Sequence, residues 1–310
     1  MKVILMFLIA LSTVLVMLFY ALPGFLLVKT RLVPAEGISS FAKLLMYVCQ
    51  PALIIYSFMQ AEFSAELLCD MLFVFVFVLA VLAAVILAAR FLLRKKIEDV
   101  KYRIYILSLC FSNCAFMGVP ILEAVLPEYP QAVAFSAMFS LAMNILGWTL
   151  GSAIITNDRK YMSAKKIVLN PAVLALIVAV PLFVTGAKLP SVITDMITLL
   201  GRMTTPLCMI IMGMRLAKAS PRSVFGKLAQ YLICFAKQMV LPALVLLLLL
   251  PLPVDHNLKV SVYIMFACPV ASVVLNFAEM LGEGQEYAAN FVLLSTGLSA
   301  LTIPLMVLLV

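Results

Sequence analysis

Two stretches of this sequence combine polar side chains with residues that interrupt helices. The first contains Asn113, Gly118 and Pro120, and the second begins at Pro269 and continues to Asn276. Proline removes a backbone donor and clashes with the carbonyl four residues earlier, and glycine weakens a helix. An interrupted helix presents an amino end with free N–H groups and partial positive charge, which attracts anions. Both stretches are therefore candidate substrate-binding sites.

Three basic residues lie within apolar sequence: Lys43, Arg202 and Lys237. A charge at membrane depth is costly and usually faces a cavity or a partner. We therefore consider Arg202 and Lys237 as substrate-binding residues, against the alternative that they snorkel to the interface or bond backbone carbonyls. Acidic residues are expected only toward the ends of the apolar segments, at Asp70, Glu123, Asp195 and Glu279. This positive bias predicts an anionic ligand.

Other polar residues lie beside prolines. Gln50 precedes Pro51 and Thr205 precedes Pro206, so Gln50 and Thr205 are further candidate substrate contacts. Threonine in a transmembrane helix more often has a packing role than a ligand-binding one, and this alternative stays open for Thr205. The seven cysteines lie in apolar sequence with no CxxC pair and no nearby histidine. We therefore predict neither a resident cofactor nor a metal site.

The elements that hold these residues must be membrane helices. Of 310 residues, 65% are hydrophobic and 12% are charged, and the mean hydropathy is +1.19, whereas a soluble chain is about 25% charged. This composition excludes a soluble enzyme, a disordered regulator and a secreted disulfide scaffold. Membrane lipids are the predicted surroundings. Nucleic acid is not a predicted partner, because the basic residues behind the net charge of +8 sort to one side of the membrane.

Ten apolar segments are long enough to cross a bilayer, which requires about 20 residues. Charged clusters and turn residues separate them. The first segment is much longer than the apolar core of a cleaved signal peptide, about 7–15 residues, and is therefore counted as a span. Spans 1 to 10 are predicted at residues 3–27, 38–60, 67–90, 104–126, 131–155, 167–187, 191–214, 224–252, 258–281 and 287–310.

The basic residues of the connections predict the orientation. Connections after odd-numbered spans hold 16 of the 22 basic residues, namely Lys29, Arg31, Arg90, Arg94, Lys95, Lys96, Lys101, Arg103, Arg159, Lys160, Lys165, Lys166, Arg215, Lys218, Arg222 and Lys227. By the positive-inside rule, these connections face the cytoplasm. We predict a multi-pass protein of the cell inner, or cytoplasmic, membrane with both termini outside.

The two halves of the chain share a weak pattern. Gln50-Pro51 in span 2 aligns with Thr205-Pro206 in span 7 at an offset of about 155 residues, and Asn113-Cys114 aligns with Cys268-Pro269 at the same offset. Because each half has an odd number of spans, a related second half must lie inverted in the membrane. We predict one five-helix repeat at 1–155 and a second, inverted repeat at 156–310.

Several short motifs occur in order along essentially the whole chain. They are Pro51-Ala52-Leu53-Ile54, Asn113 with Gly118-Val119-Pro120, Asn170-Pro171, Thr205-Pro206-Leu207 with Gly213, Lys237 five residues before Pro242, Pro269, and Ser295-Thr296 with Thr302-Ile303-Pro304. With these motifs the sequence resembles the auxin efflux carrier family, whose bacterial members include malate and malonate permeases.

The resemblance implies an all-α membrane protein of ten transmembrane helices in two inverted five-helix repeats. Helices 4 and 9 would break and cross at the substrate site, in an architecture similar to that of bile-acid/sodium symporters. Helices 1, 2, 6 and 7 would form a scaffold domain and helices 3–5 and 8–10 a transport domain, with a homodimer formed through the scaffold. The long hydrophilic loop of plant auxin carriers is missing between spans 5 and 6, which weighs against auxin transport.

From these observations we expect a secondary transporter, not an enzyme, that moves a small mono- or dicarboxylate by alternating access. Sodium symporters of similar fold have an acidic residue near the break in the second of the two crossing helices. Span 9 has no acidic residue before Glu279. The candidate neutral ligands for a sodium ion are Ser112, Asn113, Ser136 and Ser140. Coupling to Na⁺, coupling to H⁺ and facilitated diffusion stay open. The alternative is a membrane receptor or sensor that binds the anion without transport, against which the short connections argue.

Overall fold

The structure is a computed structural model that describes residues 2–158, 160, 162 and 164–309. Within these ranges the regular structure is helical, and the only β-type pairing is one isolated bridge. Arg159, one of the basic residues used to predict orientation, lies outside the described residues. So do the terminal residues Met1 and Val310, whose predicted outside location stays a prediction.

Seven helices in the described part of the chain are long and apolar enough to cross a membrane. They coincide with predicted spans 1, 2, 3, 5, 7, 8 and 10. Their bounds are Ile4–Lys29, Ile38–Met59, Ala65–Leu92, Ala132–Thr156, Ser191–Lys218, Leu228–Leu249 and Gln285–Val307. Large apolar side chains such as Leu5, Val76 and Leu247 are exposed on these helices, which suits surfaces that contact lipid rather than water.

The other three predicted spans are shorter or divided. Span 4 consists of Val100–Cys110, here span 4a, and Cys114–Val125, here span 4b. Span 6 is the helix Pro171–Thr185. Span 9 consists of His256–Ala267, here span 9a, and Ser272–Leu281, here span 9b. Spans 4 and 9 are thus the two that the chain interrupts.

Wide, π-helical turns accommodate three prolines inside the spans. The turns Leu45–Cys49, Cys114–Gly118 and Ala236–Val240 end two residues before Pro51, Pro120 and Pro242. Such a turn leaves the i to i+4 hydrogen-bond register that a proline ring obstructs. We expected Gly118 and Pro120 to unwind span 4. The structure instead places the interruption at residues 111–113, and Pro120 continues within the helix.

Spans 1 and 7 pack closely because glycines lie at their contact. A Cβ atom on Gly24 would lie 1.9 Å from the carbonyl oxygen of Ile210, and one on Gly213 would lie 1.8 Å from that of Ala21. No larger residue fits at either position without moving a helix. Close packing of small residues is the usual basis of helix association in membranes, where water does not drive it.

Candidate functional site

The two interruptions meet inside the helical bundle. Ser112 and Val270 form the isolated antiparallel bridge. The backbone N–H of Asn113 donates to the carbonyl of Pro269 at 2.8 Å, and that of Ala271 donates to the carbonyl of Phe111 at 3.0 Å. Non-helical backbone at membrane depth needs such internal partners, since lipid offers none. We call this meeting of residues 111–113 with residues 268–271 the crossing.

Two half-helices begin at the crossing without side-chain caps. Neither Asn113, which precedes span 4b, nor Ala271, which precedes span 9b, donates or accepts a capping hydrogen bond through its side chain. Within the described residues, no hydrogen bond uses the first N–H groups of either helix, those of Cys114, Ala115 and Phe116 in span 4b and of Ser272 and Val273 in span 9b. Each amino end therefore presents free donors and partial positive charge in the same place.

A cavity with a free volume of about 50 Å³ lies at these amino ends. Residues of spans 2, 4, 5, 6 and 9 line it, and they include five primary amides but no charged side chain among the described residues. The lining residues are Met46, Gln50, Ser112, Asn113, Ala115, Phe116, Ser140, Met143, Asn144, Trp148, Asn170, Pro171, Ala271, Ser272, Val273, Asn276, Phe277 and Met280. The predicted residues Gln50, Asn113 and Asn276 are thus brought together here.

The amides of the cavity differ in how far the protein already satisfies them. Asn144 donates to the carbonyl of Ser140 at 2.9 Å, and its oxygen accepts from Asn170 at 3.1 Å. Within the described part of the chain, the one hydrogen bond of the Asn276 side chain is its donation to the sulfur of Met46, at 3.3 Å. The side chains of Asn113 and Gln50 make no hydrogen bond within the described residues. Because Asn113 is also buried, with 4% of its surface exposed, its amide needs a ligand or water as partner.

The other predicted contacts in spans 4, 7 and 9 have structural roles. Thr205 donates its hydroxyl to the carbonyl of Phe116 at 2.7 Å, the carbonyl that Pro120 leaves without a helical partner. Pro269 contributes its carbonyl to the crossing. A Cβ atom on Gly118 would lie 3.4 Å from the sulfur of Cys268, so this glycine lets span 4b approach the crossing.

Lys237 reaches the crossing but does not line the cavity. It is fully buried, and its Nζ donates to Ser112 Oγ at 2.6 Å and to the carbonyl of Phe266 at 2.7 Å. The alternative considered from the sequence, pairing with carbonyl groups, therefore describes part of its environment. Its charge acts on the cavity through Ser112, which touches both.

Arg202 lies in a different cavity, of about 380 Å³, together with Tyr56, Pro120 and Glu123. Its guanidinium donates to the hydroxyl of Tyr56 at 3.2 Å, and that hydroxyl donates to Glu123 Oε1 at 3.0 Å. We expected no acid near Arg202. The structure differs, because the helical turn carries Glu123 toward spans 2 and 7 and Tyr56 connects the two charges.

The four candidate sodium ligands do not form one free group. The Ser112 hydroxyl accepts from Lys237, the Ser136 hydroxyl donates to the carbonyl of Val133 at 2.7 Å, and Ser140 contacts the sulfur of Cys114 at 3.5 Å. Of the four, only the Asn113 side chain has no hydrogen-bond partner among the residues that the structure describes. Among the described residues, no cluster of three or more His, Cys, Asp or Glu could hold a metal ion.

Trp148 is a cavity residue that the sequence did not single out. Its indole N–H is buried without a hydrogen-bond partner in the described residues, and the Nζ of Lys166 lies 5.0 Å from the ring centroid. The signal available in the sequence was that Trp148, between Gly147 and Gly151, is the only tryptophan. That signal does not show how close Trp148 lies to the crossing.

Two interrupted helices that meet at a polar cavity, within a bundle of apolar spans, define the class of membrane transporters. A family model described as membrane transport protein matches residues 9–166 and 159–307. The chain belongs to this family, that of the auxin efflux carriers, whose members are transporters and not enzymes. A search of curated proteins finds no significant match.

Proposed function

We propose that this protein is a secondary transporter of a small organic anion, a mono- or dicarboxylate, which binds at the crossing. One observation carries the proposal: the free amino ends of spans 4b and 9b converge on a cavity that also holds the unpaired amides of Asn113 and Gln50. Backbone N–H groups at a helix start and amide N–H groups are donors that a carboxylate accepts.

The charges around the cavity favour an anion over a cation. Its described lining contains no carboxylate, the charged group with which a cation at membrane depth commonly pairs. The nearest fixed charge at the crossing is the ammonium of Lys237. Arg202 lies in the separate cavity and is bonded to Tyr56, so we assign it no direct contact with a substrate at the crossing.

The size and lining of the cavity favour a small substrate. A free volume of about 50 Å³ is well below the roughly 300–1,000 Å³ of sites for drug-sized ligands. Apolar side chains, including Phe116 and Phe277, border the amides and would contact the carbon chain of the anion. We therefore favour malonate- or malate-sized substrates over indole-3-acetate.

We further propose that the anion is moved by alternating access. The two cavities contain different parts of span 2, Gln50 in the first and Tyr56 in the second, and span 4b contributes to both. The Tyr56–Glu123 hydrogen bond ties span 2 to span 4b. In this proposal, spans 1, 2, 6 and 7 form a scaffold that dimerises, and spans 3–5 and 8–10 form the moving domain. The two halves of the chain are inverted repeats, and both termini lie outside the cell membrane.

Transport assays with purified protein in liposomes test the function. Radiolabelled malonate, malate and indole-3-acetate are offered with and without sodium and pH gradients. We expect sustained flux of a small carboxylate down its gradient. Saturable binding without flux would instead identify a receptor, and absence of both binding and flux for every carboxylate would refute the proposal.

A further inference from the structure

The partners of Lys237 are unusual for a fully buried ammonium group. Within the described residues it forms no salt bridge, although a buried charge ordinarily requires an opposite charge. Its two hydrogen-bond partners are both neutral oxygens, the hydroxyl of Ser112 at 2.6 Å and the carbonyl of Phe266 at 2.7 Å. Lysine charges at membrane depth usually mark a functional position.

Both oxygens belong to the crossing. Phe266 is the second-last residue of span 9a, where the interruption leaves the final carbonyls without helical partners. The carboxyl end of a helix carries partial negative charge. Ser112 lies in the interruption of span 4 and forms the bridge to span 9. The ammonium group therefore joins the carboxyl end of one half-helix to the interruption of the other.

These are the oxygens that a small cation selects in transporters. Freed carbonyls and half-helix carboxyl ends coordinate sodium ions in discontinuous transmembrane helices, and hydroxyl and carbonyl oxygens are ligands for hard cations. In this protein the same kind of oxygens already contact the Nζ of Lys237. A sodium ion at this point would lie against a fixed positive charge in a region of low dielectric constant.

We propose that the ammonium group of Lys237 is a built-in cation at the crossing, in the place that a coupling sodium ion would take, so that transport does not depend on sodium. The proposal rests on the proposed carboxylate transport. The fixed charge stabilises the carboxyl end of span 9a and, through Ser112, adds positive potential beside the cavity. A carboxylate bound at the amino ends then has its compensating charge without a co-transported ion.

The first test compares sodium with potassium and choline at equal ionic strength. We expect the rate of malonate or malate uptake into liposomes to be the same in the three salts, and the melting temperature of the purified protein in detergent to show no sodium-specific rise. Uptake that requires sodium, or a melting temperature that sodium alone raises, overturns the proposal. The melting measurement decides even if no tested carboxylate is transported, an outcome that refutes the proposed function and not the role of Lys237.

Variants of Lys237 test whether the charge itself is needed. Lys237→Met fills the same volume without a donor, and we expect uptake to fall about tenfold or more, since hydrogen bonds to charged groups are the strong ones. Lys237→Ala leaves space in which methylammonium can bind and restore part of the uptake, whereas Lys237→Met should not respond. Lys43→Met, at an exposed lysine, is the matched control and should transport normally. Unchanged uptake by Lys237→Met, or no response of Lys237→Ala to methylammonium, contradicts the proposal.

Discussion

Replacing Asn113 by alanine removes the amide that the structure presents to the cavity without a protein partner. The backbone of residue 113 keeps its hydrogen bond to Pro269, at 2.8 Å, so the crossing retains its pairing. The side chain makes no hydrogen bond to another described residue. We therefore expect Asn113→Ala to change substrate binding much more than stability.

The magnitude follows from the hydrogen bond that is lost. A hydrogen bond to a charged group contributes about 1.5–3 kcal/mol, so Asn113→Ala should raise the substrate Kd about 10- to 150-fold. Asn113→Asp keeps the shape but places a second carboxylate beside the anion. At roughly 4 Å and an effective dielectric constant of about 20, the repulsion is about 4 kcal/mol, which corresponds to a further loss of about a thousandfold. The order of affinity is therefore wild type, then alanine, then aspartate.

The assay is equilibrium binding and uptake of the carboxylate identified by the transport panel, with the melting temperature measured on the same samples. Asn257→Ala is the matched control, because Asn257 lies at the start of span 9a, at the end of that helix far from the crossing, and does not line the cavity. It should bind as wild type does. If Asn113→Ala binds with unchanged affinity, the site is elsewhere. If its binding weakens but its melting temperature also falls strongly, Asn113 is a packing residue.

Other substitutions test the contacts that support the site. Thr205→Val leaves the carbonyl of Phe116 without its donor and should lower the free energy of unfolding by about 1–3 kcal/mol, while Thr205→Ser should restore it; equal melting temperatures for the valine and serine variants would contradict this. Gly24→Ala forces a Cβ atom against a backbone carbonyl and should reduce folded yield in detergent, whereas Gly297→Ala, with open space around it, should be stable. Tyr56→Phe removes the hydrogen bond between span 2 and Glu123 of span 4b and should speed thiol labelling of a cysteine introduced in the cavity that contains Arg202. An unchanged labelling rate would show that this hydrogen bond does not limit access to that cavity.

Local features of the sequence were sufficient to predict the helices. Apolar runs of sufficient length, bounded by charges and turn residues, correspond to all seven long helices and to the three shorter ones. This works because the backbone of a membrane span must satisfy its hydrogen bonds within the segment, so length and hydropathy already indicate where the helices lie. Membership of a transporter family also followed from short motifs spread along the chain.

The position of the interruptions was less predictable. Pro120 obstructs an ideal helix, but the wide turn at Cys114–Gly118 accommodates it, and the hydroxyl of Thr205 satisfies the carbonyl that it frees. The actual interruption at residues 111–113 depends on hydrogen bonds to residues 269–271. Those residues are far away in sequence, so no local pattern around residue 112 reveals the pairing.

The sequence by itself determined that this chain is a bundle of membrane helices with polar, helix-interrupting residues near positions 113 and 269, because those properties depend on each segment alone. Only the tertiary structure showed the partners of Arg202 and Lys237, because a long side chain can reach any neighbouring helix. Arg202 is paired through Tyr56 with Glu123, outside the cavity at the crossing. Lys237 instead donates to neutral oxygens at the crossing, beside the cavity that we propose binds the anion.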